Sequence, residues 1–172
     1  MVYVLAIVCS ALILIADQVS KYLIVANFQL GESVTVVDGL INFTYIHNMG
    51  AAFGILQNQT WIFLGITVLV MIVCIGMLIK KTFNSKLMRW AILLVLAGGM
   101  GNMIDRIFRG GKVVDFLEFD FIKFPIFNVA DCSIVIGAGL IILYFVIDFF
   151  VDVKSKKTSQ IDSIDSNESE EN

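Results

Sequence analysis

A chain of 172 residues that is 58% hydrophobic and only 16% charged, with a mean hydropathy of +0.88, has too little charge for an ordinary soluble domain. Its net charge of −3 owes most to the acidic last stretch, "IDSIDSNESEEN", and its Lys and Arg residues flank apolar runs rather than forming a basic stripe, so nucleic-acid binding is excluded. Three scattered cysteines (Cys9, Cys74, Cys132) and a single histidine (His47) make no disulfide framework and no HExxH zinc site, and leave little room for a Ser-His-Asp triad.

A membrane-spanning helix needs about 20 apolar residues, and four segments qualify. The first covers residues 4–25 and is interrupted by Asp17 and Lys21; without a basic n-region or a small-residue cleavage site it reads as retained rather than as a signal peptide. After it, "SVTVV" and "LINFTYI" flank a "DG" turn signal and predict a β-hairpin. The second span covers residues 61–79 and the third residues 87–108, glycine-rich at "AGGMG". "KVVDFLEFD" alternates in places and predicts a further strand, and the fourth span covers residues 129–151. The expected architecture is mainly α: a polytopic bundle of four transmembrane helices with a small extracytoplasmic sheet built from about residues 26–60 and 109–128. Together these make one membrane domain over residues 1–153. Residues 154–172 have too little apolar content for a core and are expected to be a disordered cytoplasmic tail.

Lys80, Lys81, Lys86 and Arg89 crowd the connection between spans two and three, and Lys154, Lys156 and Lys157 follow span four, whereas residues 26–60 carry no Lys or Arg. By the positive-inside rule both termini are expected in the cytoplasm and the first and third loops outside. On that topology Asp17, Asp105, Asp115 and Asp131 gather at one depth. Each has an ordinary explanation. Asp17 and Lys21 are four apart and able to pair on one helix face. Asp105 and Arg106 suit an interfacial ion network, Asp115 a solvated loop acid, and Asn128 to Asp131 a helix cap. Ionisable groups in spans are expensive, however, at about 2.5–3.5 kcal/mol near the helix centre on insertion scales, so their convergence points to a polar site. Two carboxylates held close can share one proton, one acting as general base on water while the other donates to a carbonyl. Spacing alone does not select Asp115 over Asp105 as a member of such a pair.

Five stretches in order, "DQVSK" (17–21), "NMGAAFG" (48–54), "GNMIDR" (101–106), "VVDF" (113–116) and "FNVAD" (127–131), give the chain its resemblance to the bacterial lipoprotein signal peptidases, over about residues 3–152. The resemblance implies a membrane-embedded aspartic endopeptidase of the bacterial cytoplasmic membrane. Such an enzyme cuts lipid-modified prolipoproteins before a diacylglyceryl cysteine, uses no cofactor or metal, and acts near the outer face. It implies Asp115 and Asp131 as the catalytic pair. Asp17, Lys21, Asn48, Gly50, Ala51, Asn102, Asp105, Arg106, Asn128 and Ala130 would be supporting or substrate-contacting positions. Prolipoproteins, membrane lipids and globomycin-like peptide inhibitors are the expected partners. His47 departs from the pattern, since arginine is common before the "NMGAAFG" asparagine. Other classes compatible with intramembrane acids are an ion- or proton-coupled membrane protein, a Ser20–Lys21 peptidase and a non-catalytic assembly subunit. The first is disfavoured by acids that do not step across the bilayer and the second by adjacent helical residues that do not face each other.

Overall fold

The computed structural model describes the backbone of residues 2–50 and 59–170 and the side chains of residues 4–50 and 59–154. Four long helices, α1 (Val2–Asn27), α2 (Thr60–Ile79), α3 (Lys86–Phe108) and α4 (Val129–Glu170), alternate with a three-stranded sheet of β1 (Ser33–Val37), β2 (Ile41–Asn48) and β3 (Val113–Phe119). All four helices are long and apolar enough to cross a membrane, over Val4–Asn27, Thr60–Ile79, Lys86–Phe108 and Val129–Lys154. The four predicted spans are thus present to within three residues at each end. Beyond them, the backbone of α4 stays helical to Glu170, through the tail in which composition predicted no order.

The burial pattern is inverted relative to a soluble protein. Leu5, Ile15, Leu69, Ile72, Ile142 and Phe145 face outward, while Asp17, Lys21, Asp105, Asp115 and Asn128 are buried. Apolar side chains outside and ionisable ones inside are stable when the surroundings are hydrocarbon.

Helix α3 is the centre of the bundle and packs against each of the other three helices. Small residues make that possible. A Cβ at Gly98 would collide with the carbonyl oxygen of Ala130, one at Gly137 would sit 2.8 Å from that of Ala91, and one at Gly101 would sit 2.6 Å from Asp17 Oδ2. At the lysine-rich end, α2 stops in a Schellman arrangement: the Thr82 amide donates to Met77 O and that of Lys81 to Leu78 O. Lys81 takes the left-handed conformation (φ 50°) that glycine usually fills. Ser85 caps α3 by accepting from the Met88 amide.

At the opposite end the sheet runs in the order β1-β2-β3, antiparallel throughout, with the predicted hairpin closed through Gly39 at φ 68°. Tyr45, Val114 and Phe116 pack on Ile24, which fastens the sheet to the end of α1. Residues Val113 to Phe116 are buried without alternation, because the strand is covered on both faces where it meets the bundle. Phe127 exchanges backbone bonds with Leu117 (2.8 and 3.0 Å), so the segment leading into α4 is stitched to β3. That stitch brings the start of α4 beside the middle of β3.

Candidate active site

The site grows from the start of α4. Asn128 Oδ1 accepts from the Asp131 amide (2.9 Å), and Asp131 Oδ2 accepts from the Asn128 amide (3.1 Å). This is a reciprocal capping box. The amide of Ala130, fully buried, donates to Asp17 Oδ1 of α1 at 2.9 Å, so the helix terminus is capped from a second chain segment as well.

Asp17 belongs to a cluster of charges. The fully buried Lys21 ammonium has three protons and three acceptors: Asp17 Oδ2 at 2.9 Å, Asp105 Oδ2 at 3.1 Å and Asn102 Oδ1 at 3.1 Å. Asp105 also accepts from the Val114 amide (3.0 Å) and from Arg109 Nε (3.4 Å). Gln18 Nε2 closes the cluster with bonds to Asp17, Asp105 and the Gly101 carbonyl. Sequence reasoning missed Gln18 and Arg109. The spacing of Arg109, four after Asp105, signals that pair, whereas Gln18, although inside the "DQVSK" stretch, has no spacing that signals its contacts with Asp105 and Gly101. The expected Asp105–Arg106 network does not form. Asp105 points inward to Lys21, while Arg106 turns away, donating to the Asn102 carbonyl (3.3 Å) with its guanidinium 5.2 Å from the centre of the Phe63 ring.

Asn102 leads from the charged cluster to the second set of carboxylates. Its Oδ1 accepts from Lys21 and from Asn128 Nδ2 (3.1 Å), and its Nδ2 donates to Asp131 Oδ1 at 2.7 Å. Asn128 Nδ2 also reaches Asp115 Oδ1 at 2.6 Å. Asn48 accepts from the Gly50 amide (2.9 Å) and donates to Asp115 Oδ2 at 2.8 Å. In each asparagine a group that can only donate faces Oδ1, which obliges the NH2 to point at Asp115 or Asp131. Asn128 touches both, giving its side-chain N–H to Asp115 and its backbone N–H to Asp131. Asp115, Asp131, Asn48, Asn102 and Asn128 therefore form one hydrogen-bonded group from β2, β3, α3 and α4. Of the remaining positions singled out in the sequence, Gly50 is buried at its edge, and Ala51 lies outside the described residues.

Burial raises the Asp115 carboxyl from its usual 3.8 to about 7; the charge of Asp131 adds to the rise, and the bonds from Asn48 and Asn128 and the charge of Lys21 oppose it. Asp115 thus holds a proton up to about neutral pH. His47, hydrogen-bonded to the Tyr45 hydroxyl at 2.8 Å, has its pKa lowered by burial and then by Lys112 and Arg109. It is a neutral ring at the sheet, without the cation an arginine would put there.

Four apolar helices, with a small sheet over one end and a hydrogen-bonded carboxylate pair beneath it, define a multi-pass membrane protein with a polar interior site. Residues 9–147 match the family described as "Signal peptidase (SPase) II". The chain is 45% identical over 148 residues to the lipoprotein signal peptidase of Brevibacillus brevis, covering 86% of this chain and 96% of that one. It is likewise 45% identical over 139 residues to that of Enterococcus faecalis, covering 81% and 86%. A solved bacterial membrane enzyme structure superposes with a TM-score of 0.80 at 38% identity, covering 84% of this chain and 88% of that one. A second gives 0.74 at 39%, covering 81% and 91%. The chain belongs to the signal peptidase II family and is a membrane peptidase.

Proposed function

We propose that the protein is a membrane-embedded aspartic endopeptidase that removes signal peptides from prolipoproteins by cutting before a diacylglyceryl-modified cysteine. The names of its relatives supply the substrate class. The observation that carries the catalytic type is the pairing of Asp115 and Asp131 through Asn128, inside a shell of neutral amide donors. Asp115, with its carboxyl raised to about 7, suits the proton-holding role, and Asp131 suits the ionised one. Water attacks the scissile carbonyl carbon. Asp131 takes a proton from that water while Asp115 gives its proton to the carbonyl oxygen, forming a neutral gem-diol. Asp131 then returns its proton to the leaving nitrogen as the C–N bond breaks, and Asp115 recovers a hydroxyl proton. Charge never accumulates on the tetrahedral species, which matters where water is scarce.

The loop charges support cytoplasmic termini and a site near the outer face of the cytoplasmic membrane, where a lipid-anchored substrate can enter from the bilayer. Arg106, set against Phe63, is a cation that suits contact with the substrate backbone or its lipid. Globomycin-like peptides are expected to compete there. The test is cleavage of a diacylglyceryl-modified prolipoprotein by purified Asp115→Asn and Asp131→Asn variants. Each is expected to bind substrate and lose turnover, and near-parental turnover in either overturns the assignment. A reporter fused after Lys81 should lie inside and one inserted at Asn58 outside; the reverse would overturn the placement of the site.

A further inference from the structure

We infer that Lys21 is a positioning residue for the reaction: its buried ammonium fixes the orientation of the Asn102 amide, and through it the proton donor that faces Asp131. The inference rests on the aspartic reading above and adds a role to a lysine that otherwise serves only to neutralise Asp17 and Asp105.

The argument is one of donors and acceptors. A primary amide has an oxygen and a nitrogen of nearly equal size, so packing alone barely distinguishes the two flips of Asn102. The difference lies in what faces each end. Lys21 Nζ can only donate, and it lies 3.1 Å from Asn102 Oδ1. Were Asn102 flipped, an NH2 would confront a buried ammonium, and the carbonyl would confront the Asp131 carboxylate. Both contacts would be repulsive, in a region from which water is largely excluded. With Lys21 in place, Asn102 offers Asp131 an N–H at 2.7 Å, which favours the ionised form of the carboxylate that takes the proton from water. The same Oδ1 accepts from Asn128 Nδ2, so the lysine also helps hold the amide that reaches Asp115. Lys21 touches neither carboxylate of the pair; among the described residues its bonds go to Asp17, Asp105 and Asn102.

Removing Lys21 alone strands two buried carboxylates, so the test removes charge in balance. The double change Lys21→Met with Asp105→Asn keeps the net charge of the cluster while taking the ammonium away from Asn102 Oδ1. The pH dependence of kcat/KM is measured for the parent, for Asn102→Ala, for the Lys21→Met/Asp105→Asn pair, and for all three changes together. The expected result is that Asn102→Ala and the balanced pair each move the acid limb of the profile upward by about one pH unit or more. Combining them should move it no further, because the lysine acts through the asparagine. An acid limb left in place by the balanced pair overturns the inference, and so do shifts that add, since either outcome reduces Lys21 to a through-space charge or a helix fastener. If the balanced pair does not fold, Lys21→Gln/Asp105→Asn decides. Glutamine is uncharged but can donate to Asn102, so a parental acid limb supports orientation by donation and a shifted limb overturns it. Loss of turnover in Asp115→Asn and Asp131→Asn together with an unmoved acid limb in the balanced pair would sink this inference alone. Active asparagine variants would sink the underlying reading.

Discussion

Two carboxylate clusters lie side by side in this molecule, one lined by cations and the other by neutral amides. Asp17 and Asp105 face Lys21 and Arg109, so that group contains two negative and two positive charges and is satisfied as ions. Asp115 and Asp131 face Asn48, Asn102 and Asn128, which donate hydrogen bonds without bringing charge. Both clusters lie at the same end of the bundle and share Asn102. The difference teaches that burial of an aspartate does not by itself make a reactive group. A cation in contact converts it into structure, while neutral donors leave the carboxyl free to exchange a proton.

The largest way to break the comparison is to make the amide-lined cluster unable to exchange protons. Asp115→Asn and Asp131→Asn should each lose on the order of 10³-fold or more in turnover, with the double variant little worse, because residues acting as a unit are non-additive. Thermal unfolding of the solubilised variants should reveal folded protein in each case. The converse experiment strikes the charged cluster. Lys21→Met should cost roughly 3–5 kcal/mol of stability, since two buried carboxylates lose their shared partner, and denaturant unfolding in detergent would measure it. If instead Lys21→Met leaves the protein as stable as the parent, the charged cluster is not the structural one.

A third change falls between the two clusters. Gly101→Ala places a methyl 2.6 Å from Asp17 Oδ2 and 3.1 Å from the Ala130 side chain. It should lower stability by about 1–3 kcal/mol, as overpacking does, and displace the start of α4, so activity should fall with it. The pH dependence of stability separates the clusters more gently. Because the folded-state pKa of Asp115 is raised from 3.8 to about 7, the folded protein binds the extra proton between those values. Its contribution to stability therefore declines as pH rises through that window and levels off above about 7. Asp115→Asn should remove that decline from a series of melting temperatures. The smallest effect is expected at His47. His47→Gln should change stability by no more than about 1 kcal/mol, through the hydrogen bond and edge-on ring contact with Tyr45.

How much was legible in the sequence follows from which residues interact locally. The spans were visible because a bilayer demands long apolar runs, and the hairpin because "DG" sits between β-branched strands. The capping pattern of Asn128 and Asp131 was legible three residues apart, but the cap and the proposed catalytic role looked like competing explanations. They are the same hydrogen bonds: the interaction that starts α4 also holds one carboxylate in place. The alternation expected in "KVVDFLEFD" gives way to continuous burial at Val113 to Phe116, because coverage of a strand depends on what packs over it.

By itself, the sequence determined the membrane architecture, the end of the bundle where polar groups collect and, through its five motifs, the family. The division of the aspartates into two kinds was decided only by the tertiary structure. Asp105 and Asp115 are ten residues apart and chemically identical. What separates them is Lys21, arriving from α1 to neutralise the first, and Asn48 and Asn128, arriving from β2 and the start of α4 to bind the second without neutralising it. Electrostatic environment is set by distances of about three ångströms between residues remote in the chain, and composition and spacing carry no record of those distances.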